Sequence, residues 1–225
     1  NKSIVNKLNI INLYKSILQE QFKGHFNKGS FPRNVSVVMS GTAIAQLISF
    51  AMMPIISRLF TPADFGIYGS YTAALGVLSA AATMQYAQAV VLPKHKEEGI
   101  NLFLVSFVSV ILVAVVATVI VIIFPQKLLD LINAPSGWFL IFLLIALLVT
   151  GINQALLAWC IRVKAFKATS ISQIIRSISS SGLWIVAGFG QVGAMGLVIG
   201  GILAELLASL NLWRIAKRDL KENRT

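Results

Sequence analysis

The sequence predicts an all-α polytopic membrane protein: a six-transmembrane-helix bundle with both termini cytoplasmic. Three observations predict it. The 225 residues are 56% hydrophobic and only 12% charged, with a mean hydropathy of +0.80, far from the balance of an ordinary soluble domain. Six apolar runs are each long enough for a bilayer core about 30 Å thick, which takes roughly 20 residues of helix. Lysine and arginine outnumber acids 19 to 8 and cluster on one side of those runs.

Residues 1–33 read as a cytoplasmic basic, amphipathic segment. Ile4, Leu8, Ile11, Leu18 and Phe22 recur at three- and four-residue steps, with Lys2 and Lys7 placed to meet anionic headgroups. That pattern suits an interfacial helix and equally a basic arm. It is no signal peptide, because a continuous apolar core is lacking and Gly24–Arg33 is polar.

The transmembrane lobe occupies residues 34–213, with spans at Val35–Arg58, Gly66–Leu92, Ile100–Phe124, Trp138–Ile161, Ala168–Phe189 and Val192–Trp213; a basic cytoplasmic tail, 214–225, follows. The third and fourth spans are nearly pure hydrocarbon. The fifth is the most polar. Between Ser170 and Ser181 it holds Gln173, Arg176 and six serines, so it needs neighbouring helices as a shield, a re-entrant segment being the other reading. Pro32, Pro62, Pro93, Pro125 and Pro135 fall at or outside span ends, where a missing N–H does little harm. Pro54 lies inside the first span and predicts a kink, read either as packing geometry or as a hinge.

Positive residues are retained on the cytoplasmic side. Sixteen of the 19 flank the runs on one side, Arg58 and Lys127 lie on the other, and Arg176 is within a span. Both termini are therefore placed in the cytoplasm. Basic residues spread over membrane-flanking loops leave no fold for nucleic-acid readout. The single cysteine, Cys160, and the distant His25 and His95 exclude a cysteine-based zinc cage and an internal disulfide; Cys160 is expected to pack in the interior.

Ionisable groups inside a bilayer are functional hypotheses by default. Arg176 and Glu205 sit near the middle of spans five and six at nearly the same depth. They form either a structural ion pair or a site in which Arg176 binds an anion such as a diphosphate, with Glu205 holding the arginine or carrying a coupling proton. Gln173, Ser177 and Ser180 share a face with Arg176; Thr42, Gln46 and Ser49 form a stripe in span one, and Tyr68, Thr72, Ser79 and Tyr86 in span two. A cavity between spans one, two and five would collect all three stripes, which otherwise serve as interhelical hydrogen bonds. Small residues make two more stripes, Gly69-Ala73-Gly76-Ala80-Thr83-Ala87 and Gly196-Gly200-Ala204-Ala208, expected as packing seams. No general acid/base pair and no phosphate-binding loop appears. The longest outer loop, Pro125–Gly137, offers only Lys127 and Asp130.

The segment Ser57-Arg58-Leu59-Phe60-Thr61-Pro62-Ala63-Asp64-Phe65-Gly66-Ile67-Tyr68 resembles the first outer loop of bacterial Wzx-type oligosaccharide flippases. These polysaccharide-biosynthesis membrane proteins share a superfamily with multidrug extruders and lipid II flippases. Tyr86 with Ala89-Val90-Val91-Leu92-Pro93-Lys94, then Glu97-Glu98 and Asn101-Leu102, resembles the end of their second helix and its cytoplasmic loop. Gln85 and Ala87 stand where such proteins often carry an arginine and a glutamate.

The resemblance implies translocation of a lipid-diphosphate-linked oligosaccharide across the bacterial inner membrane for surface polysaccharide, by alternating access. Cofactors are not implied, a proton or sodium gradient being the conceivable energy source. It also implies that the chain is the amino-terminal half of a two-lobed protein, either a fragment or a half-transporter that dimerises. The implied partners are the lipid-linked oligosaccharide, membrane lipids, a second six-helix lobe and glycan-assembly proteins. Arg176, Gln173, Ser177, Ser180, Gln46 and Thr72 are the candidate cavity residues, with Glu205 for charge pairing or coupling. The alternatives are a multidrug/cation antiporter of the same superfamily, a membrane enzyme of glycan assembly, and a scaffold.

Overall fold

A computed structural model describes residues 31–83, 96–132 and 135–222. The expected amphipathic segment before residue 31, and the stretch from Gln85 and Tyr86 to Lys94, lie outside these described residues. Within them the chain forms helices and no strand: α1 (Phe31–Leu59), α2 (Pro62–Thr83), α3 (Lys96–Ile123), α4 (Pro125–Ile132), α5 (Trp138–Arg162), α6 (Phe166–Phe189) and α7 (Ala194–Glu222). Five of them, α1, α2, α3, α5 and α7, are long and apolar enough to cross a membrane. Helix α6 falls short of that measure because its serines, Gln173 and Arg176 lower its hydropathy. It nevertheless runs unbroken for 24 residues, rather than turning back as a re-entrant segment would.

Several boundaries differ from the sequence reading; α1 and α3 each begin four residues earlier than expected, at Phe31 and Lys96. Helix α2 starts at Pro62 rather than Gly66, because Thr61 and Asp64 form a capping box at its N-terminus. The Asp64 carboxylate accepts from the Thr61 amide at 2.9 Å and from its hydroxyl at 2.6 Å, and the Asp64 amide donates back to Thr61 Oγ1 at 3.2 Å. Pro62 then takes the first helical position, where no donor is needed. The outer loop after Phe124 is not wholly irregular, since Pro125–Ile132 is helical and packs Leu128 and Leu129 beside the core residues Tyr71, Phe139 and Leu140. Helix α7 continues past Trp213 to Glu222, so most of the basic tail is helix.

Tight turns join the later helices. Lys164 (φ 58°) reverses the chain after α5, and Gln191 (φ 52°) and Gly193 (φ 65°) do so before α7. Each turn returns amides to the preceding helix: Ala165 N–H to Cys160 O at 2.8 Å, and Val192 N–H to Ala187 O at 3.2 Å. These bonds satisfy carbonyls that would otherwise end unpaired.

The helix directions alternate along the bundle. Contacts advance together along α1 and α6, where Val37 meets Ser170 and Ser49 meets Ser177, so these two run parallel. Helices α6 and α7 run antiparallel, Ser172 meeting Ala208 and Trp184 meeting Leu197. Helix α6 packs along both α1 and α7; α5 lies against α7, α3 and α2. The interior holds Trp159, Cys160, Leu156 and Leu212 at one end, and Tyr71, Phe139, Leu140 and Val198 towards the other. Cys160 is fully buried, as expected, against the carbonyl of Leu212. Large apolar side chains such as Phe50, Val108, Ile122 and Leu210 stand exposed on the outer faces, the inverse of a water-soluble surface.

The small-residue stripes fare differently. On α7 a Cβ at Gly196 would lie 2.6 Å from Ala187 Cβ, one at Gly200 would lie 2.7 Å from Trp184 Cδ1, and Ala204 and Ala208 are buried. This is a packing seam against α6. On α2 the expected seam is not formed. Gly69, Ala73, Gly76 and Ala80 are exposed, and a Cβ at Gly69 or Gly76 would meet nothing within 4 Å. Periodicity correctly put these residues on one face, but that face has no neighbour among the described residues.

Candidate functional site: a polar cavity holding one arginine

Helix α6 orders the site because it cannot satisfy its polar side chains in hydrocarbon. Its serines bond to neighbouring backbones: Ser170 Oγ to Val37 O at 2.8 Å, Ser177 Oγ to Ala45 O at 2.7 Å, and Ser172 Oγ to Ala208 O at 2.8 Å. Thr42 donates to Gln173 Oε1 at 2.8 Å. Since the Ser177 proton goes to Ala45, Ser49 is the donor in the 2.8 Å Ser49–Ser177 contact. Interhelical bonds of this kind contribute about 0.6 kcal/mol each in a bilayer, so the ladder fixes α1 against α6 in one register. At Gly41 a side chain would collide with Ser170, which is why the two backbones can approach there.

Between these helices and α2, α5 and α7 lies a partly open cavity of about 450 Å³. It gathers every candidate named from the sequence: Gln46 from α1, Thr72 from α2, Gln173, Arg176, Ser177 and Ser180 from α6, and Glu205 from α7. The expected stripes contribute Thr42, Ser49 and Tyr68 as well. Ser79 does not join them, being buried with its hydroxyl on Gly76 O, and Tyr86 lies outside the described residues. Gln46 has no hydrogen-bond partner among the described residues.

Arg176 and Glu205 are the charged residues of the lining, and they pair. Arg176 Nη1 lies 3.2 Å from Glu205 Oε2, the side chains being 59% and 14% exposed. The two side chains thus pair and also line the same cavity. The sequence reading missed Asn153 of α5, whose amide donates to Glu205 Oε1 at 2.8 Å. The adjacent amides Asn153 and Gln154 within an otherwise apolar span were the available signal. It also missed Trp184, which donates to Leu197 O at 2.9 Å and meets Tyr68 edge-to-face at 5.5 Å, forming an aromatic wall of the cavity. No group of three or more His, Cys, Asp or Glu that could hold a metal occurs among the described residues.

Asp64, at the start of α2, lies outside the cavity lining. Beyond its capping role, its Oδ1 accepts from the Ala194 amide at 2.8 Å, tying the start of α2 to the start of α7, with Gly193 leaving room beside it. The carboxylate thus serves two helix N-termini, where negative charge is favoured. Thr61 and Asp64 fall in the segment that resembles the flippase outer loop, and their contacts give that segment a structural role.

A family model described as polysaccharide biosynthesis protein matches residues 31–224. The chain belongs to the polysaccharide biosynthesis protein family. This is the family of the Wzx-type flippases, and membership assigns the chain a role in polysaccharide synthesis or export. With the exposed apolar helices, it makes the chain a multi-pass membrane protein. No curated protein and no solved structure matches the chain. The matched range in this polysaccharide biosynthesis protein covers every described helix and so the whole cavity.

Proposed function

We propose that this lobe moves a lipid-diphosphate-linked oligosaccharide from the cytoplasmic to the periplasmic leaflet of the bacterial inner membrane by alternating access, acting as a transporter without catalysis. Both termini are then cytoplasmic and α6 counts as a sixth crossing. The observation that carries the reading is Arg176: a guanidinium 59% exposed in a cavity whose lining, apart from Glu205, is uncharged, with hydroxyls, amides and aromatic rings set among aliphatic side chains. Glu205 occupies one of its nitrogens, and the remaining donors are free for phosphate oxygens. Gln46, Thr72, Ser180 and the Tyr68–Trp184 wall suit sugar hydroxyls and ring faces. The lipid tail stays in the bilayer, so only the polar head needs the chamber. A second lobe, from the same or another chain, completes the pathway; the exposed small-residue face of α2 is suited to its close approach.

A cation antiporter would need an available acid in the cavity. Glu205, the acid in the described lining, is engaged at both oxygens, which favours the anion reading. Arg176→Ala is expected to stall export of surface glycan by at least about tenfold, the loss of a charge-assisted contact worth some 1.5–3 kcal/mol, while leaving membrane insertion intact. Unchanged glycan at normal protein level would remove the role; immunoblotting of surface polysaccharide against membrane-fraction protein measures both.

A further inference from the structure

The two contacts of Glu205 are unlike. Asn153, 7% exposed, is fixed inside the bundle and donates at 2.8 Å, whereas Arg176 approaches from the open side at 3.2 Å through a single nitrogen. That is long for a charge-assisted bond, and arginine pairs with carboxylates most strongly through two parallel bonds. By holding Oε1, Asn153 orients the carboxylate so that Oε2 alone meets the guanidinium. Glu205 therefore holds the arginine by one oxygen, and when the arginine leaves, the carboxylate still keeps a donor, so release does not strand a wholly unpaired charge.

We infer that Glu205 is an intramolecular competitor for the cavity's anion, holding Arg176 in the empty chamber and yielding it to a phosphate-class group, with Asn153 as the positioning residue that limits this hold to one oxygen. The inference rests on the reading of Arg176 as the anion-binding group. Competition of this kind keeps affinity moderate: an arginine without its carboxylate would bind phosphate oxygens more tightly and give them up more slowly. For a transporter, which must release what it binds, that restraint is functional.

The test uses the full chain, purified in detergent and titrated with inorganic diphosphate, and in a second arm reconstituted into vesicles containing a polyprenyl diphosphate. Glu205→Gln keeps the side chain's size and its contact with Asn153 but removes the competing charge. Binding should tighten about two- to fivefold, the range for release from a partly exposed pair. Tightening in both arms, or in the lipid arm alone, supports the inference and tells which source the site reads. Unchanged or weaker binding in both arms overturns it. Asn153→Ala should weaken binding by letting Glu205 take the arginine with both oxygens, and this effect must vanish when combined with Glu205→Gln; a purely structural Asn153 would show the same loss in either background, which overturns its positioning role. Glu205→Gln carries the main test even if Asn153→Ala does not insert. If Arg176→Ala binds as well as the unaltered chain, the anion reading itself fails, whereas loss in Arg176→Ala with no gain in Glu205→Gln defeats the competitor alone.

Discussion

Asp64 shows how much a single side chain can hold together. It closes the capping box of α2 and accepts the first amide of α7, two services that Thr61 only half shares. Asp64→Ala is expected to destabilise the lobe by about 1–2 kcal/mol, and Thr61→Ala by about 0.5–1 kcal/mol, read as shifts of the thermal unfolding midpoint in detergent. Equal shifts would mean that the Ala194 contact contributes nothing. Half of this arrangement was legible, since a threonine followed three residues later by an acid is a helix-start signature. The other half was not: Ala194 is 130 residues away, and no local pattern announces a long-range backbone partner. Asn153 was hidden for a related reason. Its apolar neighbours drew attention to the span's hydropathy, and only the fold shows that its amide points at Glu205.

At the scale of the element, the two glycine stripes give opposite expectations from the same composition. Gly200→Val pushes a side chain into Trp184 and should cost about 1–3 kcal/mol, as overpacking does. Gly69→Ala and Gly76→Ala meet open space, and should stabilise the lobe by up to about 1 kcal/mol through helix propensity. Unfolding midpoints of the three variants test the distinction. Hydropathy was sufficient for α3 and α5, whose apolar runs exceed any alternative. It was less sufficient for α6, where composition and length disagree, and blind to α4, whose eight residues are too few for a pattern to declare itself. The period of a stripe tells which residues share a face but not whether anything covers it, and α2 is the case where that gap mattered.

For the whole molecule, the cavity is a product of five helices, none of which carries it alone. The polar stripes of three spans converge because each must escape lipid, and a shared chamber is the arrangement that lets them do so together. The two-lobed proposal adds a further expectation. Gly76→Leu, on the uncovered face of α2, should leave this lobe no less stable, and up to about 1 kcal/mol more so through the same helix propensity, yet reduce glycan export by blocking a close-packed partner. Export at the normal level would show that the face meets only lipid.

The serine ladder of α6 also bears on how the chain is made. A segment with this many hydroxyls, an amide and a guanidinium gains little by leaving a protein-conducting channel on its own. It needs α1 on one side and α7 on the other before lipid becomes a tolerable solvent. Settling of α6 should therefore wait for the next helix: a thiol placed at Ser172, which α7 covers through Ala208, should react with a water-soluble reagent in chains that end at Gly190 and be shielded in those that reach Glu222.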